Sequence, residues 1–458
     1  MRFGLAILSL AGAFLLANSY DSDFYGLVSY FLLIYFFLDF IYSLGRSLRI
    51  LDIPILFSIF QLLIMPGIVY YQFNDDPYVK ALQYNMTQPK EVYYDFMVPA
   101  VLVFIAGLKL PLTMQYRNYY SAASFKRITD NIRQSLIGKE NIGLLLIGIG
   151  FVFGAGTRFL PSGLDYLGFL FGKLIYVGIL YAYFSDTPLN KKRVYLIGGI
   201  LLILLQSLAS GLFGEMIYFT VMSTMVILLG QKQQFARNLV LCLLGSFLIV
   251  VLQTVKGEYR RVTWNDPSVD KVNAFTDIAL DRIVHFENNF TSEGMFPTVV
   301  RFNQGMLVDK TMDYVPRVTP YQDGRTIWLS LAASFIPRYL WPDKPIAGGH
   351  ENMLLFTGFD VQGYSMNVGP YGEAWGNFGK DGGIAYLFFY GLFFNIVFFT
   401  ILKKAQKHPT LLLWVPYLFI NSIQVETDTL MTVNTIIKGA LFMWAFFFVF
   451  KRVTGLSL

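Results

Sequence analysis

Cysteine is nearly absent from these 458 residues: Cys242 stands alone inside an apolar run, which excludes an intramolecular disulfide and a cysteine-held metal. Histidine is almost as scarce, with three residues, and no H-E-x-x-H occurs. Acidic pairs such as Asp266 and Asp270 suit solvent better than a cation, so neither a metal nor another cofactor is expected. Charge is thin as well. Asp, Glu, Lys and Arg make up 14% of the chain, where soluble domains carry about 25%. No G-x-x-x-x-G-K-[ST] is present, which removes ATP held by that loop as an energy source. What remains is apolar, with 55% hydrophobic residues, 17% aromatics and a mean hydropathy of +0.50. Lipid is the solvent for such a composition, with Trp and Tyr suited to its interfaces. The net charge of +6 does not signal nucleic acid, because most basic residues lie in short connections between apolar runs, where they orient helices.

A bilayer core needs about 20 mostly apolar residues in a helix. Twelve runs meet or approach this: about 2–18, 24–44, 51–71, 95–110, 141–160, 163–185, 194–210, 212–230, 238–255, 384–402, 410–424 and 430–450. Met1-Arg2 and the apolar stretch to Ala17 share features with a signal peptide, but further spans follow at once and a first membrane helix fits better. Alternate connections differ sharply in charge. One set, from Arg2, Arg46 and Arg49 through Lys403, Lys404 and Lys407 to Lys451 and Arg452, holds nineteen Lys or Arg; the other short connections hold only Lys80, Lys90 and Arg158. By the positive-inside rule both termini are cytoplasmic. The expected fold is an all-α polytopic membrane protein of about twelve helices. Nine fill residues 1–255, a large periplasmic loop occupies 256–383, and three fill 384–458.

That loop carries 12 Lys or Arg against 15 Asp or Glu, too balanced for a polyanion-binding face. Residues 273 to 290 read as an amphipathic helix, with Phe275, Ala279, Ile283 and Phe286 on one face. Asp277, Asp281, His285 and Asn288 lie on another, where Asp281 could orient His285 as a base or merely pair with it in solvent. The sequon-like Asn289-Phe290-Thr291 reads as chance. Thr326 to Leu340 is too short to span but apolar enough to lie in the interface or re-enter. Pro337, Trp341-Pro342 and Lys344-Pro345 then make a stiff turn presenting Arg338 and Lys344. Two readings fit those cations: ligands for a phosphate at a dehydrated site, or anchors snorkelling to headgroups. Glycines 369, 372, 376, 379, 382 and 383 permit close backbone approach, and Glu373 among them sits where an unpaired carboxylate is expensive. Within or beside the spans, Lys173, Glu215, Lys438, Glu426 and Asp428 each ask for a cavity or a partner.

The segment Phe335-Ile336-Pro337-Arg338-Tyr339-Leu340-Trp341-Pro342-Asp343-Lys344-Pro345 resembles the O-antigen polymerase (Wzy-type) family, the oligosaccharide repeat unit polymerases. A G-E-x-x-x-N-F-G-x-x-G-like segment follows, matched from Gly372 to Gly383, and Arg338 with Gly349 meets an R-x₁₀-G signature. The motifs cover about a tenth of the chain. An Arg that some relatives carry in a G-x-R-G-like stretch is missing from Ser210-Gly211-Leu212-Phe213-Gly214-Glu215. The resemblance implies a membrane glycosyltransferase of GT-C-like architecture in the bacterial inner membrane. Such an enzyme transfers a glycan from undecaprenyl pyrophosphate to the repeat unit on another carrier. Membrane lipid surrounds it, and a flippase and a chain-length regulator are its expected partners; nucleic acid is not. Arg338 is then the first candidate to meet the leaving pyrophosphate, with Lys344, Arg325, Arg301, Arg282 and Glu215 as substrate-binding candidates. Glu373 and His350 lead as catalytic bases, followed by His285. An O-antigen ligase uses the same donor with another acceptor, and a flippase or transporter can also have twelve spans; both stay open.

Overall fold

The computed structural model describes residues 2–20, 22–156, 165–211, 213–232, 234–266, 268–285, 298–336, 338, 340–361 and 366–458. Arg158, Pro337, Phe286, Asn288 and the Asn289-Phe290-Thr291 sequon, all singled out in the sequence, lie outside the described residues. Among the described residues every named element is helical. Eight helices are long and apolar enough to cross a membrane: Phe24–Ser43, Asp52–Phe73, Lys90–Lys109, Tyr166–Phe184, Leu189–Ser210, Phe235–Asn265, Gly369–Ala405 and Thr429–Thr454. The other four apolar runs fold as shorter helices, Phe3–Ser19, Ile142–Gly156, Gly214–Leu228 and Pro409–Phe419. The chain is a membrane-embedded helical protein.

Helix ends differ from the apolar runs where hydropathy and capping disagree. Helix Phe235–Asn265 carries on through the boundary drawn at residue 255. Nothing there stops it until Pro267, whose ring and missing N–H cannot continue a helix. Lys90–Lys109 starts well before the apolar run at 95, just after Pro89. Gly369–Ala405 likewise starts ahead of 384 and kinks at Gly379, whose φ of 65° and ψ of −158° suit glycine alone. These two helices cross closely. A Cβ on Gly107 would lie 2.3 Å from the Phe388 carbonyl oxygen, and one on Gly391 would lie 2.5 Å from that of Phe104. Small residues let backbones approach this closely where lipid gives no hydrophobic drive between helices.

Contacts between connections sort into two ends. At one end Gly230 N donates to Gly45 O at 3.0 Å, Asn238 Nδ2 to Ile41 O and Leu44 O at 3.1 Å each, and Lys139 Nζ to Ser457 O at 2.6 Å. At the other, Lys90 pairs with Asp23 at 2.8 Å, Lys271 Nζ reaches Ala209 O at 3.0 Å, and Gly348 N reaches Asp428 at 3.2 Å. These are the two sets that the basic residues separate.

The long loop packs on the helices at the second end. Lys271–Val284 is capped by Asp270 and lays Phe275, Ile278 and Ala279 against Phe213, Val255 and Tyr259. Its apolar stripe stops there, because the partner surface ends; Ile283, expected on the buried face, is exposed. Helix Gly305–Tyr314 is nearly all buried. Its Asp309 accepts from Thr87 N and Thr87 Oγ1 at 2.6 Å each and from Gln88 N at 2.9 Å, tying the loop to the start of Lys90–Lys109.

Candidate functional site

Helix Arg325–Phe335 begins after Gly324, whose φ of 81° turns the chain, and packs along Thr429–Thr454. At its start, Arg325 and Asp428 line one cavity. Beyond its end, Arg338 and Lys344 come close enough for their charges to act on Lys438. Lys438 is nine residues into the last helix, about 14 Å from its first residue. The chain then climbs back, and Gly348 donates to Asp428. The described residues between 325 and 348 therefore trace a hairpin that dips along the last helix and leaves by the end it entered. Trp328, Phe335 and Leu340 are 70%, 69% and 70% exposed, so its outer face is apolar and suited to lipid.

The two cations at the hairpin tip differ in task. Lys344 is 8% exposed and its Nζ donates to the Ala333 carbonyl at 2.9 Å and the Ile336 carbonyl at 2.8 Å. Those are end carbonyls that a finishing helix leaves unpaired, so Lys344 closes the hairpin from inside. Arg338 is exposed and donates from Nη1 to Pro342 O at 2.7 Å and from Nη2 to Lys344 O at 3.2 Å. It braces the turn, its Nη2 also lying 3.5 Å from Pro345 O, and the side chain stays exposed. Lys438, half-buried, has its Nζ 5.1 Å from the centre of the Tyr166 ring.

The cavity at the hairpin mouth measures about 260 Å³ and is lined by Gln322, Arg325, Thr326, Glu351, Asn352 and Asp428, among others. No protein group among the described residues hydrogen-bonds or ion-pairs with the Arg325 guanidinium. Behind the wall lies Glu373, 0% exposed. Its Oε1 accepts from Asn352 Nδ2 at 2.6 Å, and its Oε2 accepts from Thr429 N at 3.1 Å and from Thr429 Oγ1. The Thr429 hydroxyl also meets Tyr386 Oη at 2.9 Å. The positive end of the last helix, whose first N–H Glu373 accepts, compensates part of the cost of burying this carboxylate.

Asp428 caps that same helix. Its Oδ1 accepts from Met431 N at 2.5 Å and its Oδ2 from Gly348 N, while Asn367 adds a side-chain bond. Burial nonetheless pushes its carboxyl above the ordinary aspartate value. In the window between the unfolded and folded values the folded chain holds a proton that the unfolded chain has lost. Stability should thus fall as pH rises through that window. Asp428→Asn keeps the cap and removes the titration, so melting curves taken upward from about pH 4 should lose this slope in the variant.

The remaining sequence candidates disperse. His350, at the start of helix His350–Thr357, is exposed and pairs with Asp360 at 3.0 Å; its neighbours Glu351 and Asn352 line the cavity instead. Arg301 grips Glu426 bidentately at 3.0 and 2.5 Å, joining the loop to the connection before the last helix. Arg282 bonds Glu258 at 2.9 Å, which holds Lys271–Val284 to the helix before it. His285 pairs with Asp281 at 3.1 Å on an exposed face, and Glu215 pairs with buried Lys173 at 3.0 Å. Sequence reasoning missed Asn352 and Thr429. Asp428-Thr429 before an apolar run is a readable helix start, but its partnership with Glu373 spans 56 residues and leaves no local sign.

Among the described residues no three His, Cys, Asp or Glu side chains converge to hold a metal. A cavity of about 640 Å³ at the opposite end is lined by Arg46, Arg49, Asp52, Lys109 and Arg117 among others. Its buried Asp52 is already held by Arg49 and Lys109.

The family model described as Domain of unknown function (DUF8712) matches residues 58–359, about two thirds of the chain, and the chain belongs to that family. The match takes in the whole hairpin and Asn352 and ends before Glu373. No curated protein and no solved structure matches the chain.

Proposed function

We propose that this member of the DUF8712 family is a membrane glycosyltransferase that joins lipid-pyrophosphate-linked oligosaccharide repeat units into a surface polysaccharide. One observation carries the reading. A single hairpin with an exposed apolar face holds cations at its tip and a cavity at its mouth, beside a buried carboxylate. A lipid pyrophosphate donor needs both: an apolar flank for its tail and positive charge where its leaving oxygen gains negative charge. The acceptor hydroxyl oxygen bonds to the donor sugar C1 as the bond from C1 to the pyrophosphate oxygen breaks through an oxocarbenium-like state. The hydroxyl proton passes to Glu373, reached when the Asn352 amide swings from its Oε1. Arg325, with no protein partner among the described residues, and Arg338 stabilise the departing pyrophosphate, and Lys438 adds charge from the last helix.

We read all twelve apolar helices as crossings, with GT-C-like architecture, both termini cytoplasmic and the hairpin periplasmic, in a bacterial inner membrane. The imbalance of nineteen basic residues against three supports this orientation. Labelling checks it directly. Val318→Cys, exposed in the loop, should react with a membrane-impermeant maleimide from outside. Met114→Cys, fully exposed at the other end, should react only after permeabilisation.

Deleting the gene tests the activity. Surface glycan reduced to single lipid-capped repeats is expected. Polymer that is made but not attached would indicate a ligase, and repeats retained on the cytoplasmic side would indicate a flippase.

A further inference from the structure

A second cavity of about 310 Å³ opens in the same loop region, lined by Gln83, Asn85, Thr87, Lys310, Asp313 and Tyr314, with Thr357 and Phe359 closing one side. Thr87 and Thr357 are bonded within the protein, but three of the other polar groups have little to do there. Lys310 is 8% exposed, and its ammonium forms no hydrogen bond or ion pair with the described residues. Asp309 and Asp313 attract it electrostatically without bonding it, and the Asp309 oxygens are taken by Thr87 and Gln88. Asp313 meets Arg317 at 2.7 Å through Oδ2, which leaves Oδ1 with only a long 3.5 Å contact to Gln88. The Asn85 amide makes a single 3.3 Å bond to Met86 O. A buried stem carrying a charged head into a cavity is an arrangement that a ligand completes.

The donor set identifies the ligand class. Amides, a carboxylate, an ammonium and a hydroxyl together match neighbouring hydroxyls that each donate and accept. Half-exposed Tyr314 and Phe359 offer apolar faces to the C–H side of a ring. Asp313 opposes a phosphate, and the small volume opposes a peptide or a lipid tail. Helix His350–Thr357 links the two cavities: Asn352 and Leu355 line the first and Thr357 lines the second. The rise from Asn352 to Thr357 is about 7.5 Å, a span that a short oligosaccharide bridges.

We propose that this cavity is a glycan subsite, binding a pyranose ring of the growing chain some distance from the bond being made. The proposal rests on the polymerase reading above and adds to it a point of grip that governs how far a chain is extended.

The test uses full-length protein in nanodiscs and a lipid-free, single-repeat oligosaccharide released from the surface polysaccharide of cells carrying the gene. Titration followed by saturation-transfer NMR should give saturable binding to the wild type and to Glu373→Gln. Lys310→Met, which keeps the buried stem, and Asn85→Ala, on the loop, should each bind at least ten-fold more weakly. In cells the same two variants should join repeats into shorter polymer. Wild-type affinity in both variants, or no binding by the wild type, overturns the subsite. If polymer still disappears on gene deletion in that case, the polymerase reading survives without it. If deletion leaves polymer intact, that reading falls, and weakened binding in the two variants then marks a glycan-binding site serving another role.

Discussion

Cells carrying Glu373→Gln are expected to export repeat units and leave them unjoined, with polymer lowered by about 10²- to 10⁴-fold. The substitution separates chemistry from architecture because glutamine has the shape of glutamate. Its amide oxygen can accept from Thr429, as Oε2 does now. Its amide nitrogen would face the Asn352 amide, which can turn over and accept. Weaker bonds to a neutral group cost about 1–2 kcal/mol, and removing one of two neighbouring buried carboxylates returns part of this. Protein abundance and melting temperature should therefore stay near wild type while polymer disappears. Polymer of normal length from Glu373→Gln would make the residue a structural link between two helices and shift attention to Asp428. Glu373→Asp adds resolution: one methylene shorter, it cannot hold Asn352 and Thr429 together, so a low but measurable rate is expected.

What could be read in the sequence follows from how each force acts. Bilayer solvation acts on every residue of a span, so all twelve apolar runs correspond to helices, eight of them long enough to cross. Ends were less legible, because a helix such as Phe235–Asn265 continues into polar sequence until Pro267 prevents it. The hairpin was half visible. Its short apolar stretch and proline-rich turn announced a segment that cannot span, but its depth depends on packing against Thr429–Thr454, a long-range contact. For the site, Glu373 stood out as a costly charge, and burial with full hydrogen bonding is how the fold meets that cost. His350, Arg301, Arg282, His285 and Glu215 carried the same chemical promise. Nothing local in the sequence distinguishes a side chain committed to Asp360, Glu426, Glu258, Asp281 or Lys173 from one that faces a ligand. Lys344 illustrates this best: in sequence it stands next after Arg338 as a phosphate ligand, whereas its ammonium is spent on two carbonyls.

That difference sets the second large effect. Arg338→Ala should eliminate polymer and leave the protein abundant. Lys344→Met should lower abundance, and polymer only in proportion. Arg338 lies exposed, so the carbonyls of Pro342 and Lys344 that it now holds can turn to water or headgroups when it is removed. The Ala333 carbonyl is buried under Lys344 and has no such substitute; leaving it and Ile336 unpaired costs about 2–5 kcal/mol. Arg338→Lys sharpens the test. A lysine keeps the charge beside Lys438 but presents a point donor in place of a planar fork, so a pyrophosphate oxygen pair loses its bidentate partner. We expect about ten-fold less polymer than wild type, well above the alanine variant. Equal polymer from Arg338→Ala and wild type, with both proteins inserted at equal levels, would remove the hairpin tip from the reaction. The carboxylate-backed cavity at its mouth would then have to release the lipid pyrophosphate with Arg325 alone.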